Sequence, residues 1–185
     1  RRLIVENLGA PWVVAPVELA SDQEIVFEPG TVILAKRGAF LGTSDCLLSA
    51  SCKSDITLVG RGATLRMWRA DYDDPARYKR AEWRHALSFK SCQRVRVEGL
   101  TLAESGGDGI YLGVARRGVP CSDVVLRDVT CAGNYRQGIS VISARNLVIE
   151  NCLLASTDGT APEAGIDFEP NGANELFENC VVKNC

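Results

Sequence analysis

Apolar and polar residues alternate along most of the chain in short runs, and one run recurs several times. The segments DITLVGRGATL, RVRVEGLTLAES, DVVLRDVTCAGN, NLVIENCLLAST and ELFENCVVKNC superpose as one extended pattern. Alternation with a period of two predicts half-buried β-strands. The alignment places four bend residues in one column: Gly99, Asp128, Asn151 and Asn179. The next column is expected to point inward: Leu100, Val129, Cys152 and Cys180.

A second family of short strands lies between these runs, in the segments CLLSASC, HALSFKS, DGIYLGV, QGISVIS and AGIDFEP. Each carries two apolar residues separated by one residue, as Ile166 and Phe168 are in the last segment. The repeat length falls within the roughly 20–50-residue range of solenoids, and no segment shows helical periodicity. The pattern therefore predicts an all-β fold, a parallel β-helix of about five to six coils.

The repeats also predict the organisation of the chain. Residues 1–24 fit no coil, so we expect an N-terminal cap segment followed by the β-helix over residues 25–185. The last run stops within an alternation, which predicts truncation at the C-terminal end. The longest insertion is WRADYDDPARYKRAEWR, with shorter ones at GVARRGVP and DGTAPEA. Such loops often flank a binding face. We expect Trp68 and Trp83 to stack against a sugar, with loop packing as the alternative.

The amino-acid composition limits the kinds of partner that the protein is expected to bind. The 185 residues are 46% hydrophobic and 24% charged, with a net charge of -2, which is typical of a globular protein without a basic surface for nucleic acid. No apolar stretch is long enough to cross a membrane. The sequence contains no initiator Met and no signal region, which leaves the targeting open. From the predicted fold we expect secretion or a cell-surface location. The oligomeric state stays open.

Eight cysteines raise the question of disulfides. Cys52, Cys92 and Cys121 each precede a strand of the first family, which predicts a stacked column of small buried thiols, with a disulfide as the alternative. There is no CxxC motif and only one histidine, His85, so no zinc site is expected.

Stacked strands lie roughly 4.8 Å apart, so aligned residues on successive coils become neighbours. Just before the second strand family the columns predict proximity of His85, Asp108 and Gln137, and of Arg136 and Glu163. Within the strands, Tyr111 aligns with Ser140 and Asp167, and Lys90 with Glu169. The predicted catalytic residues are Asp108, Asp167, Glu169 and His85. The predicted substrate-binding residues are Lys90, Tyr111, Arg136, Gln137, Trp68 and Trp83. For each of them, capping a turn, packing or solvating a strand is the alternative.

The strands GDGIYLG, RQGISVIS and AGIDFEP resemble the active-face strands of polygalacturonases, pectin-depolymerising β-helix enzymes whose corresponding strands carry D-D-C-I, G-H-G-I-S and R-I-K. Asp108 matches the second aspartate, whereas Gly107 replaces the first and Gln137 replaces the histidine. Asp167 and Glu169 stand where that family has its uronate-binding Arg and Lys, which disfavours an acidic sugar as substrate. More broadly, the chain resembles right-handed β-helix repeat proteins of the pectin-lyase-like superfamily, many of which act on polysaccharides.

Three functions follow as hypotheses. The first is a glycoside hydrolase for a neutral or amino-sugar polysaccharide or oligosaccharide, without a cofactor, with Asp108 or Glu169 as acid and Asp167 as base. Asp167 and Glu169 are roughly 6.6 Å apart between Cα atoms, which suits inversion. The second is a Ca²⁺-dependent polysaccharide lyase or epimerase with Glu163, Asp167 and Glu169 as ligands. The third is a non-catalytic sugar-binding or structural solenoid.

Overall fold

The computed structural model describes residues 1–185 as two parallel β-sheets wound into one solenoid. Strands are numbered in chain order. The main path of the eleven-stranded sheet is β1 (Arg2–Val5), β4 (Gln23–Phe27), β7 (Ser54–Arg66), β9 (Gln93–Ala103), β11 (Cys121–Arg127), β14 (Ala144–Glu150) and β17 (Phe177–Lys183). Its side strands are β2 (Trp12–Val14), β5 (Val32–Ala35), β12 (Thr130–Ala132) and β15 (Leu153–Ala155). The six-stranded sheet contains β3 (Val17–Glu18), β6 (Leu48–Ser51), β8 (Leu87–Lys90), β10 (Ile110–Gly113), β13 (Ile139–Val141) and β16 (Ile166–Phe168).

The strands of the smaller sheet pair in parallel with those of neighbouring coils, in the order β3, β6, β8, β10, β13 and β16. Its inward column runs through Phe89, Leu112, Val141 and Phe168, in the register that the sequence alignment predicts. The six strands mark six coils, and β17 begins another. The parallel β-helix and its coil number are therefore confirmed.

The core forms because alternate residues of each strand face the interior of the coil. In the larger sheet Ile56, Val95, Val124 and Leu147 stack as one column, and each is almost completely buried. Burying an aliphatic side chain of this size contributes roughly 1.5–3 kcal/mol. Stacked apolar columns, rather than any single contact, therefore hold the coils together.

Two bends shape the larger sheet, and each uses a residue with a left-handed backbone. Arg94 and Gly99 occupy the bends of one coil, whereas Asn179 and Asn184 occupy those of the last. The side-chain amide of Asn179 donates to Asn146 and that of Asn184 donates to Asn151, at 3.2 and 3.1 Å. Asn184, not Asn179, therefore belongs to the Asn151 column. The sequence alignment was wrong there because two Asn-Cys pairs, five residues apart, satisfy the same pattern.

The N-terminal segment differs from the expected cap. Residues of β1 pair in parallel register with β4, Arg2 opposite Glu24 and Val5 opposite Phe27. Val17 of β3 likewise pairs with Leu48 of β6. Residues 1–22 therefore form the first coil of the solenoid, and Gln23 and Glu24 already belong to β4 of the second coil. The repeat is hidden in the sequence because its strands are short and are separated by prolines.

All eight cysteines are free thiols. Cys92 and Cys121 are completely buried and stack as predicted, but Cys52 is exposed. Ser54 pairs with Gln93, which places Lys53 rather than Cys52 beside Cys92. The predicted three-member column is thus wrong at Cys52, where the alignment is one residue out.

Candidate functional site

The long insertion at residues 68–84 is packed against the coils and begins with a 3₁₀ helix, Arg69–Asp73. Tyr72 and Tyr78 are buried and meet edge to face at 5.1 Å between ring centroids. The indole N–H of Trp68 donates to the carbonyl of Ala35 at 2.7 Å, and the Arg37 guanidinium lies 3.9 Å from the ring centroid. The structure therefore places Trp68 in the packing of the loop and not, as predicted, on a sugar-binding face. Trp83 remains 47% exposed.

Arg84 anchors the end of this insertion, a role that the sequence pattern does not reveal. Its side chain is completely buried, and its guanidinium donates to the carbonyls of Phe40 and Lys79, both at 2.9 Å. The same group lies 5.2 and 5.6 Å from the rings of Tyr72 and Tyr78, within the range of cation–π attraction. The insertion is thereby fixed directly before His85.

The centre of the predicted face is Asp108, which is completely buried. Ser140 donates to its Oδ2 at 2.7 Å, and the backbone N–H of Asp108 donates to His85 Nδ1 at 2.9 Å. Because Nδ1 accepts this bond, His85 is neutral and carries its proton on Nε2. Burial, helped by the positive charges of Lys90 and Arg136, lowers the pKa of His85 to about 3.

Burial has the opposite effect on the carboxyl of Asp108. It raises the pKa of Asp108 to about 7, while the Ser140 hydrogen bond and the charge of Arg136 oppose the rise. Its Oδ1 atom is buried and has no hydrogen-bond partner. Asp108 is therefore a buried carboxyl that holds its proton close to neutral pH.

Two consecutive residues hold the two carboxylates of the next coil. Arg136 donates to Glu169 at 2.9 Å, and Gln137 donates to Asp167 at 3.0 Å. Arg136 also lies 3.9 Å from Asp108. A single guanidinium thus links the buried carboxyl to the more exposed carboxylate of Glu169.

Tyr111 covers His85 from the outside. The two rings stack in parallel, 4.6 Å apart between centroids, and the ammonium of Lys90 lies 5.7 Å from the Tyr111 centroid. Burial, together with the charge of Asp108, raises the pKa of Tyr111 to about 12. Tyr111 therefore serves this face as a neutral hydroxyl above a neutral imidazole.

The structure adds two residues that the site prediction lacks. Glu82, in the insertion, lies 3.8 Å from Arg136. It sits in a loop without periodicity, so no sequence signal marks it. Ser140 aligns with Tyr111 and Asp167 in the sequence, and this column could have identified it as a neighbour of Asp108.

The three residues predicted as alternative calcium ligands do not form a ligand group. Glu163 accepts a hydrogen bond from the backbone N–H of Gly159, whereas Glu169 and Asp167 are held by Arg136 and Gln137. No group of three or more His, Cys, Asp or Glu side chains has an arrangement that could hold a metal ion.

The family comparison agrees with this architecture. Residues 79–185, more than half of the chain, match the family described as "Right handed beta helix region". The chain belongs to this right-handed β-helix family. The right-handed fold that the sequence resemblance implies is thereby confirmed, as is the resemblance to the pectin-lyase-like superfamily at the level of fold. The comparison reaches the whole of the face from Glu82 to Glu169 but not the first coils.

A search of solved structures gives the same fold for the whole β-helix protein. It resembles a crystal structure at 1.95 Å from Parabacteroides merdae ATCC 43184, described as that of "a putative glycosyl hydrolase". The TM-score is 0.67 with 16% sequence identity, over 100% of this chain and 81% of that one. A sequence search among curated proteins finds no significant match. The structure contains no helix long and apolar enough to span a membrane.

Proposed function

We propose that this β-helix protein is a glycoside hydrolase acting on a neutral or amino-sugar polysaccharide or oligosaccharide. The observation that carries the proposal is the set of three carboxyl groups joined through Arg136 and Gln137. Asp167 in β16 and Glu169 just after it are held by hydrogen bonds, and the buried Asp108 of an earlier coil has a pKa of about 7. Glycosidases need such a combination of a protonated and an ionised carboxyl group.

Asp167 is the base in this proposal. Gln137 donates to one of its oxygens, which leaves the other free to accept the proton of a water that attacks the anomeric carbon. As the new C–O bond forms, the glycosidic C–O bond breaks and the leaving oxygen receives a proton from Asp108 or Glu169. The Cα atoms of Asp167 and Glu169 are roughly 6.6 Å apart on an extended segment. Inverting enzymes hold their two carboxyl groups roughly 6.5–9.5 Å apart, so we propose inversion for this pair.

The charge of the face supports a substrate without carboxylates. Glu82, Asp108 and Glu169 lie 3.8, 3.9 and 2.9 Å from the single guanidinium of Arg136, and Asp167 accepts a hydrogen bond from the neutral amide of Gln137. Lys90 is the other cation of the face. A uronate would add a further negative charge to carboxylates that are already close together. A hydrolase of polymers would meet its substrate outside the cell, in agreement with the expected secreted or cell-surface location.

An activity screen tests the proposal. The protein is incubated with a panel of neutral, amino-sugar and uronate polysaccharides, with and without EDTA, and new reducing ends are measured. Hydrolysis that survives EDTA and falls at least 100-fold in Asp167→Asn is the expected result, with an inverted anomer in ¹H NMR. Full turnover in Asp108→Asn, Asp167→Asn and Glu169→Gln would refute it. Calcium-dependent formation of an unsaturated, ultraviolet-absorbing product would establish a lyase instead.

One observation favours a second function, sugar binding without catalysis. Both Asp108 and His85 are closed to solvent, whereas a catalytic acid must touch the glycosidic oxygen. In this case the buried network orients Arg136 and Gln137, and the outer carboxylates bind sugar hydroxyls. Oligosaccharide binding by calorimetry, with no products after prolonged incubation, would support binding alone.

A further inference from the structure

Two loops meet beside the carboxylate face and enclose a small surface pocket. One loop is the insertion at residues 68–84, and the other connects β15 to β16. The pocket has a volume of about 140 Å³ and is lined by Arg80, Ala81, Glu82, Trp83, Tyr135 and Thr160. Sites for drug-sized ligands measure roughly 300–1,000 Å³, so this pocket suits one small ring.

Backbone hydrogen bonds fix the second loop to the floor of the pocket. The backbone N–H of Thr160 donates to the carbonyl of Tyr135 at 3.0 Å, and that of Asp158 donates to Asn134 at 3.2 Å. The backbone at Gly159 lies so close to Tyr135 that a Cβ there would be 2.3 Å from its ring. A pocket that is preformed in this way loses little entropy when a ligand binds.

An ion pair joins this loop to the insertion. The Arg69 guanidinium lies 3.6 Å from the Asp158 carboxylate and 5.9 Å from the Tyr135 ring centroid. Both walls of the pocket are therefore connected to each other above Tyr135.

Glu82 connects the pocket to the carboxylate face. It lines the pocket and also lies 3.8 Å from Arg136, which in turn binds Glu169. A ligand that extends from the pocket past Glu82 to Arg136 would contact both the pocket and the carboxylate face.

The lining matches the chemistry of a sugar ring. Trp83 offers a partly exposed aromatic surface for the apolar face of the ring, and Glu82, Arg80 and Thr160 offer partners for its hydroxyls. We propose that this pocket is a subsite for one pyranose ring of a glycan chain whose neighbouring ring lies at Asp167 and Glu169. The inference rests on the proposed function, since it assumes that the carboxylate face binds sugar.

Calorimetry with chitohexaose, cellohexaose and xylohexaose tests the subsite in an Asp167→Asn background, which suppresses turnover. For the hexasaccharide that binds, Trp83→Ala is expected to weaken binding roughly three- to tenfold, and Trp83→Phe less. Trp12→Ala is the matched control, because Trp12 is 40% exposed and lies in the first coil. The Trp12→Ala variant is expected to bind the hexasaccharide as tightly as the parent protein, which carries Asp167→Asn alone. Circular dichroism establishes that each variant is folded.

The outcomes separate the two proposals. If a hexasaccharide binds and Trp83→Ala binds it equally well, the subsite is refuted while the proposed function stands. If no hexasaccharide binds the parent or the wild-type protein, and none is hydrolysed, both proposals fail for these sugars. If Trp12→Ala weakens binding as much as Trp83→Ala does, the effect is not local and the subsite is refuted as well.

Discussion

Ser140 donates a 2.7 Å hydrogen bond to Asp108 from the neighbouring coil, and both side chains are buried. The bond stabilises the ionised carboxylate and so opposes the rise in pKa that burial causes. We predict that Ser140→Ala raises the pKa of Asp108 further and lowers the free energy of unfolding by about 1–3 kcal/mol above neutral pH. Carboxyl ¹³C NMR titration and urea unfolding measure the two effects.

Ser88→Ala is the matched control for this substitution. Ser88 occupies the same column, is 2% exposed, and makes no hydrogen bond to Asp108. An unchanged Asp108 pKa in Ser140→Ala, or an equal rise in Ser88→Ala, would show that the bond does not tune this carboxyl.

His85 and Asp108 are predicted to make opposite contributions to the pH dependence of stability. The pKa of His85 falls from 6.5 to about 3 on folding, so its contribution is present above pH 6.5 and is lost as the pH falls. The pKa of Asp108 rises from 3.8 to about 7, so its contribution is present below about pH 4 and is lost as the pH rises. Between about pH 4 and 6.5 the two slopes, each at most about 1.4 kcal/mol per pH unit, oppose each other.

When either residue is substituted, the pH dependence of the unfolding free energy should be that of the remaining residue. In Asp108→Asn the free energy of unfolding is expected to increase with pH across this window, and in His85→Gln it is expected to decrease. Urea unfolding at half-unit pH intervals measures both. Variant curves that run parallel to the wild-type curve would contradict the prediction.

Gly138 is predicted to be the least replaceable glycine of the face. A Cβ at this position would lie 2.4 Å from the carbonyl oxygen of Gly165 on the next coil. We expect Gly138→Ala to cost about 1–3 kcal/mol of stability and to shift Gln137 away from Asp167. Gly172→Ala, where no atom lies within 4 Å, should change the midpoint of thermal unfolding very little. Equal effects of the two substitutions would argue against close coil contact at Gly138.

The eight cysteines are predicted to differ in their reactivity towards alkylating reagents according to how exposed they are. Iodoacetamide should label Cys52 and Cys185 in the folded protein, because both are exposed. It should leave the five buried thiols unmodified, since burial also raises their pKa, to about 12 for Cys121 and about 11 for Cys152. Cys180, half-buried, is expected to react more slowly. Peptide mass spectrometry before and after denaturation gives the pattern. Rapid native labelling of Cys121 would be incompatible with the buried column.

The sequence predicts the columns of this fold well because stacking turns an alignment directly into contacts. The neighbours His85 and Asp108, and the register of Tyr111 with Ser140 and Asp167, follow from this rule. The rule says nothing about side-chain direction or depth. It therefore could not show that Arg136 binds Glu169.

The contacts of loop residues cannot be predicted from the alignment of coils, because loops have no repeating pattern. The packing of Trp68, the burial of Arg84 and the approach of Glu82 to Arg136 all depend on how the insertion folds back over the coils. The shift at Asn179 has another cause, since two equivalent bends in one coil accept the same residue types.

The bends of the larger sheet recur at one spacing in four successive coils. Five positions separate Arg94 from Gly99, Asp123 from Asp128, Asn146 from Asn151 and Asn179 from Asn184. A single residue inserted between two such bends would turn the following side chains of that strand to the opposite face of the sheet. The connections that flank the smaller sheet obey no such restriction, and the two loops around Tyr135 arise from them. This architecture can therefore evolve new ligand preferences by changing loop length while its frame of coils stays constant.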